Sequence, residues 1–349
     1  MPSLSARARA WPAAVLRSRW TFEVALAAAL LALAITRTDL RDVGAAFARA
    51  RYGWAMLAVL IYALSRILHT VHWQFYLRKV GRVPLRGLLG AFLIGNFVDN
   101  VLPARIGEIA RIQIVANRYG LSRAGMVAGR AAEALLDGVT TIALLVVAVV
   151  LFRFAFAPAA LFWIVATFIA ATFAALALAS RLLPRELPDW PLLGRLRSRP
   201  RRALSDAWPR IRDGLEALRN ARLLAIVLAL TVAGYAMETV MFWTFGLAFR
   251  LGLPLSAYVS VVVAAGVVRV FPITFQNIGT YEVVLLEVLA RQGAPRDAAF
   301  AYALATRVFA SIAITTMGLL AMWLMRVHPR DLFTMRRRDP AESAGQHYS

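Results

Sequence analysis

Residues 96–111 read Asn96–Phe–Val–Asp99–Asn100–Val–Leu–Pro103–Ala–Arg105–Ile–Gly107–Glu108–Ile–Ala–Arg111, in the middle of apolar text. A second stretch repeats the theme: Arg269–Val–Phe–Pro272–Ile–Thr–Phe–Gln276–Asn277–Ile–Gly279–Thr–Tyr–Glu282. Each places Pro, Gly and an acid where the flanking residues predict bilayer. A charge at that depth costs roughly 2.5–3.5 kcal/mol on insertion scales, so it needs a function or a partner. Backbone broken by Pro and Gly is tolerated there only where protein or a watery cavity covers it. The two stretches therefore predict two hairpins, each an apolar arm, a break and a short polar arm.

Working outward, the 349 residues are 60% hydrophobic and 17% charged, with mean hydropathy +0.64. Those values exclude an ordinary soluble domain and a disordered chain, and predict an all-α polytopic membrane protein. The length suits about six to ten spans with short loops and no large soluble domain. The chain has no cysteine, which excludes disulfides and thiolate metal sites. Of four histidines, His69 and His72 lie together, but no metal-ligand pattern completes them, and no cofactor is expected. The net charge of +21 comes mostly from arginine gathered beside apolar spans. That distribution follows the positive-inside rule and points to anionic lipid headgroups rather than nucleic acid.

Residues 1–20 are a basic N-terminus, followed by an apolar run from about Phe22 to Thr36. It reads as a first span; a signal peptide cleaved near Ala32–Leu33–Ala34 is the alternative. A second span runs from about Gly53 to Leu77 and ends at Arg78, Lys79, Arg82 and Arg86. The first hairpin has arms 87–102 and 104–116 around Pro103. Spans at about 125–152 and 159–183 follow, then a basic segment, 184–222. Within that segment Trp208, Ile211, Leu215 and Leu218 recur at helical spacing opposite Arg210, Arg212, Asp213 and Glu216. This is either an interfacial amphipathic helix or a loop helix packed on the protein. A span at 223–249, a second hairpin with arms 255–272 and 279–290, and a last span at 297–326 complete the domain. The single transmembrane domain is thus 21–326, and the basic tail, 327–349, is expected to be disordered.

The positive-inside rule puts both termini and the dense basic segments in the cytoplasm, across the inner (plasma) membrane. The expected architecture is about six full spans plus two re-entrant hairpins, or eight or more spans if the arms cross fully. Under this topology the units 53–152 and 223–326 are inverted with respect to each other. Each leaves its hairpin through a short turn, Gly120–Leu–Ser122–Arg123 and Gly293–Ala–Pro295–Arg296. Inverted repeats with broken elements are a transporter architecture.

Arg130, Glu133 and Asp137 follow the first hairpin at i, i+3 and i+7, on one helix face. Arg307 lies 14 positions after Gly293, and Arg130 lies 10 after Gly120, so the two are plausible counterparts. The second span adds Arg66, His69 and His72, and the span at 223–249 adds Glu238. The functional reading is a polar cavity enclosed by both units. Arg66, Arg105, Arg130 and Arg307 would receive an anionic headgroup through guanidinium forks. Glu108, Glu133, Asp137 and Glu282 would hold those arginines when the site is empty. N–H groups of the short arms, starting at Pro103 and near Gly279, could meet the same anion. Asn96, Gly107, Arg111, Asn277 and Arg269 complete the candidate set. The bland reading is that these residues are interhelical ion pairs.

The string Asn96…Leu102–Pro103–Ala–Arg105–Ile–Gly107–Glu108–Ile–Ala–Arg111 resembles the signature of the lysylphosphatidylglycerol synthase transmembrane region family. That family includes flippase-like proteins and the membrane half of the multiple peptide resistance factor. Pro272…Asn277–Ile–Gly279–Thr–Tyr–Glu282 and Arg307 resemble its second signature, and the resemblance covers about 20–330. It implies lipid translocation or support of lipid modification, with aminoacylated phospholipids, hopanoids or polyprenyl-linked sugars as the substrate range. The family usually has an Arg directly after the acid of its third motif, where Ala134 follows Glu133 here. It usually has two glycines before its Gly–x–x–acid, where Gln276 and Asn277 stand here. The soluble aminoacyl-transferase domain is absent from this sequence.

A flippase-like transporter of an anionic or phosphate-containing lipid is the leading reading. The alternative is an integral-membrane enzyme or accessory subunit acting on a lipid-linked substrate, with Glu108 or Asp137 as acid/base. No nucleophile–base pair or metal set favours it. A small-anion transporter is a third class, and the signature argues against it. Candidate partners are membrane lipids, a second copy of the chain as a homodimer, and a separate lipid-modifying enzyme. The cysteine-free sequence makes topology directly testable. Single cysteines replacing Asn100 and Asn277 should react with impermeant maleimide from opposite faces of sealed vesicles; labelling of both from one face would exclude inverted hairpins.

Overall fold

The computed structural model describes residues 23–36, 38–77, 81–102, 106–121, 123, 126–127, 167, 205, 208, 221–270 and 274–328. These residues are helical, with no strand among them. In chain order the helices are α1 (Glu23–Thr36), α2 (Leu40–Ala48), α3 (Tyr52–Leu77), α4 (Leu85–Val101) and α5 (Ile106–Tyr119). Then come α6 (Ala221–Ala248), α7 (Leu255–Val270), α8 (Thr280–Arg291) and α9 (Arg296–Met325). A single turn, Phe275–Asn277, stands between α7 and α8. The expected spans at 125–152 and 159–183, the amphipathic helix at 208–218 and both chain ends lie outside the described residues, isolated positions aside.

Helices α3 and α9 are long and apolar enough to cross a membrane. At 1.5 Å rise per residue, α3, α6 and α9 are each roughly 40–45 Å long, more than the ~30 Å hydrocarbon core requires. Proline sets three starts. Pro84, Pro254 and Pro295 precede α4, α7 and α9, and their carbonyls accept from Leu88, Ala257 and Ala299 N–H. Proline suits a helix start because its missing N–H would have no intrahelical partner there. The ends of α6 and α9 share another device. Arg250 and Arg326 both take φ +53, and Leu251 and Val327 N–H reach back to the Gly246 and Met322 carbonyls, each 3.0 Å. This is the left-handed cap that closes the last helical turn.

The chain forms two compact units. The first comprises residues 1–62 and 237–312, the second 63–236 and 313–349. The first hairpin, α4–α5, belongs to the second unit, and the second hairpin, α7–α8, to the first.

In the second unit, α4 is buried along most of its length, at Leu88, Ala91, Phe92, Ile94, Gly95 and Val98. It packs with Trp73 and Leu77 of α3, with Ile114 and Val115 of α5, and with Ala321 of α9. The arms α4 and α5 fold back on each other with backbone touching backbone. A Cβ on Gly107 would lie 2.0 Å from the Gly95 carbonyl oxygen.

In the first unit, Tyr258 of α7 and Tyr302 of α9 are fully buried, with ring centroids 6.3 Å apart. Tyr302 Oη–H donates to the Phe242 carbonyl of α6 at 2.9 Å, so its one polar atom is satisfied. Helix α2, not expected from the sequence, starts at Asp39, whose Oδ1 accepts from Arg41 N–H at 2.8 Å. The Asp39 N–H in turn donates to Asp297 in the first turn of α9.

The close approach in the first hairpin sets a stability test. Gly107→Ala should destabilise by about 1–3 kcal/mol because neither backbone can withdraw. Gly266→Ala in α7, where an added Cβ meets nothing within 4 Å, should stabilise by about 0.5–1 kcal/mol. Thermal unfolding of both variants in one detergent checks the pair; coincident melts would contradict the packing.

Candidate functional site

The second hairpin is built around a backbone that leaves the helix at 274–279. Gln276 and Asn277 have φ of +49 and +58, and Gly279 has +78. The left-handed region costs a residue with a side chain roughly 1 kcal/mol or more, so something must hold it. Arg307 of α9 does so. Its Nη1 donates to the Gln276 carbonyl (3.2 Å) and its Nη2 to the Asn277 carbonyl (2.9 Å). Its Nε donates to Glu282 Oε1, closing an ion pair with a carboxylate that is 1% exposed. The other oxygen, Oε2, accepts from Gly279 N–H at the start of α8, 2.7 Å. The guanidinium also lies over the Tyr281 ring, 4.8 Å from its centroid, a cation–π contact.

Hydroxyls complete the surroundings. Thr274 Oγ1–H donates to the Ile278 carbonyl and lies 3.0 Å from Thr280 Oγ1, while Tyr281 Oη is 3.3 Å from Thr306 Oγ1. A Cβ on Gly279 would come within 2.6 Å of the Ala27 carbonyl, so α1 passes directly against the break. The Asn277 side chain brings one buried oxygen, Oδ1, with no hydrogen-bond partner among the described residues.

The first hairpin closes by a similar device. Its short arm, α5, presents the Gly107 N–H, which donates to Asp99 Oδ1 of α4 at 2.7 Å. Each short arm therefore meets a carboxylate at its N-terminal N–H groups, where the helix dipole favours negative charge. One turn on, Arg111 is 7% exposed and packs against two aromatic rings, 5.0 Å from the Trp73 centroid and 5.6 Å from Phe92. Glu108 lies 4.0 Å from it, more exposed than its partner. His69 stacks on the far part of the same cluster, 6.4 Å from Phe92. Asn100 reaches Thr315 of α9 at 3.3 Å. Asn96 has a buried amide nitrogen, Nδ2, with no hydrogen-bond partner among the described residues.

Asn277, Gly279, Glu282 and Arg307 are thus brought together in one unit, and Asn96, Gly107, Glu108, Arg111 and His69 are placed around the first hairpin in the other. Arg66 of α3 hydrogen-bonds Ser65 Oγ (2.9 and 3.2 Å), and Glu238 of α6 is buried in the first unit. Arg105, Arg130, Glu133 and Asp137 lie outside the described residues, as does the side chain of Arg269. Sequence reasoning did not single out Asp99, Trp73, Phe92, Tyr281 or Thr306. Asp99 lay inside the quoted motif, and its signal was an acid placed one hairpin turn before the glycine it meets.

A family model, lysylphosphatidylglycerol synthase TM region, matches residues 20–318. The chain belongs to that family. It is a membrane protein of a family tied to lipid modification or transport, and both hairpins fall inside the matched region. Comparison with curated protein sequences gives no match. Positions 276 and 277 are left-handed in this chain, a conformation that glycine takes without steric cost.

Two substitutions probe the second break. Gln276→Gly should raise stability by up to about 1 kcal/mol through relief of the left-handed strain. Arg307→Leu should lower it by about 3–5 kcal/mol, since it leaves a buried carboxylate and two carbonyls without their donor. Chemical or thermal unfolding in detergent reads both; a neutral Arg307→Leu would show that the pair is not what holds the turn.

Proposed function

We propose that this chain is a flippase-like protein that binds an anionic or phosphate-containing lipid and carries its headgroup across the inner membrane. The polar breaks of its hairpins supply the headgroup contacts. The observation that carries the reading is the second break, where a half-buried arginine, a buried carboxylate and a helix N-terminus meet among unwound carbonyls inside a family tied to lipids. Guanidinium and N-terminal N–H groups are the donors a phosphate oxygen takes. In this reading Arg105 and Arg111 serve the first hairpin in the same way, and Arg130, Glu133 and Asp137 join them from the following span. Both termini are cytoplasmic, and membrane lipids with anionic headgroups are the partners.

The alternative, an integral-membrane enzyme or accessory to lipid modification, makes a different product. Purified protein in proteoliposomes with headgroup-labelled phosphatidylglycerol should expose label on the opposite leaflet without chemical change. Arg105→Ala should slow that exposure about tenfold or more, the loss expected for one charge-assisted contact, and Glu282→Gln should slow it because Arg307 loses the anion that takes it back when the headgroup leaves. A chemically altered lipid would favour the enzyme reading, and unimpaired translocation in both variants would exclude these residues from the path.

A further inference from the structure

The Glu282 carboxylate occupies a position with two distinct kinds of donor. One oxygen takes the N–H of Gly279, at the start of α8; the other takes the Nε–H of Arg307. These are the donors that an oxyanion from outside the protein would need. The same guanidinium holds the Gln276 and Asn277 carbonyls, and both of those residues sit in left-handed backbone despite carrying side chains. The turn is therefore retained by the arginine rather than by its own preference. Whatever competes for Arg307 also competes with the turn.

Nearby groups are arranged for such a competition. Arg307 keeps part of its side chain accessible, 22%, while Glu282 is 1% exposed. The arginine is therefore the member of the pair that an incoming anion can reach, and the carboxylate is the shielded one. The ring of Tyr281, 4.8 Å below the guanidinium, gives the cation a second support while its hydrogen bonds exchange. Asn277 contributes a buried side-chain oxygen with no partner among the described residues, which a rearranged turn could satisfy.

We propose that the Arg307–Glu282 pair is an exchangeable latch: the phosphate group of a lipid headgroup displaces Glu282 from Arg307 and releases the 274–279 turn from its left-handed conformation. The inference rests on the lipid-binding reading above and adds to it the moving element. Glu282 is the resident competitor of the lipid phosphate, and Arg307 is the residue they share. Release frees the Gly279 N–H from its carboxylate and the two carbonyls from the guanidinium, so the junction between α7 and α8 can change direction. No covalent step is involved.

Amide hydrogen exchange of the full-length chain tests this, with lipid retention measured by native mass spectrometry on the same samples. The baseline is delipidated protein in maltoside micelles, which contain no phosphate. There the 275–280 segment should be protected. Added phosphatidylglycerol should be retained and should speed exchange in that segment about tenfold, the value of one charge-assisted hydrogen bond. Glu282→Gln should exchange at the fast rate without lipid and retain phosphatidylglycerol more tightly, because the competitor has lost its charge. Arg307→Lys keeps the charge but loses the fork; it should exchange fast and lose retention. Inorganic phosphate at the same concentration should have no effect. Retained phosphatidylglycerol with unchanged exchange would overturn the latch while leaving the lipid reading intact. An equal response to inorganic phosphate would overturn the assignment to a lipid. Failure of the wild-type chain to retain any phosphatidylglycerol would overturn the lipid reading, and the latch with it.

Discussion

The ion pair between Arg307 and Glu282 is the interaction on which the second hairpin depends. An unwound segment inside a membrane protein leaves carbonyl and N–H groups that water cannot reach, and each unsatisfied group costs several kcal/mol. Arg307 answers two of the carbonyls, Glu282 answers the N-terminal N–H of α8, and each neutralises the other. Desolvating two charges is itself expensive, and it is repaid only where the geometry is good and the remaining donors are used. Here the additional bonds to backbone meet that condition. The pair thus makes the break in the helix possible.

The first hairpin solves the same problem with a different balance. Asp99 seats on the Gly107 N–H, and the contact requires that Gly95 and Gly107 bring their backbones together without a Cβ between them. Its buried cation, Arg111, is held by the faces of Trp73 and Phe92 as well as by Glu108. Aromatic faces desolvate a guanidinium at lower cost than an apolar wall because the ring quadrupole replaces part of its hydration. A carboxylate on the first N–H groups of the short arm is therefore common to both hairpins, whereas the neighbours of each arginine are not.

Much of this was legible before any coordinates. Pro103, Gly107, Gly279 and the acids near them marked the two breaks, because no other residues would stand in apolar text at that cost. The helix limits followed from the apolar runs: 53–77 became Tyr52–Leu77, and 297–326 became Arg296–Met325. Glu282 was readable as one of four acids expected to hold four arginines, Arg307 among them, but which acid meets which arginine was not. Helix α2 was missed, since its nine residues are held by the Asp39 cap and by tertiary contact through Asp297 rather than by a long periodic pattern. Asp99 and the two rings against Arg111 were missed because their partners are distant in sequence or uncharged.

The sequence by itself determined that the chain is an α-helical membrane protein, where its helices break, and which charged residues must find partners. Those conclusions follow from transfer energies and backbone chemistry, which act residue by residue. The tertiary structure alone decided which oxygen meets which donor. Gln276 and Asn277 are left-handed because a guanidinium from another helix captures their carbonyls. Arg111 is buried because two rings from α3 and α4 close over it. Such choices depend on how helices far apart in sequence come to lie against one another, which no local pattern encodes.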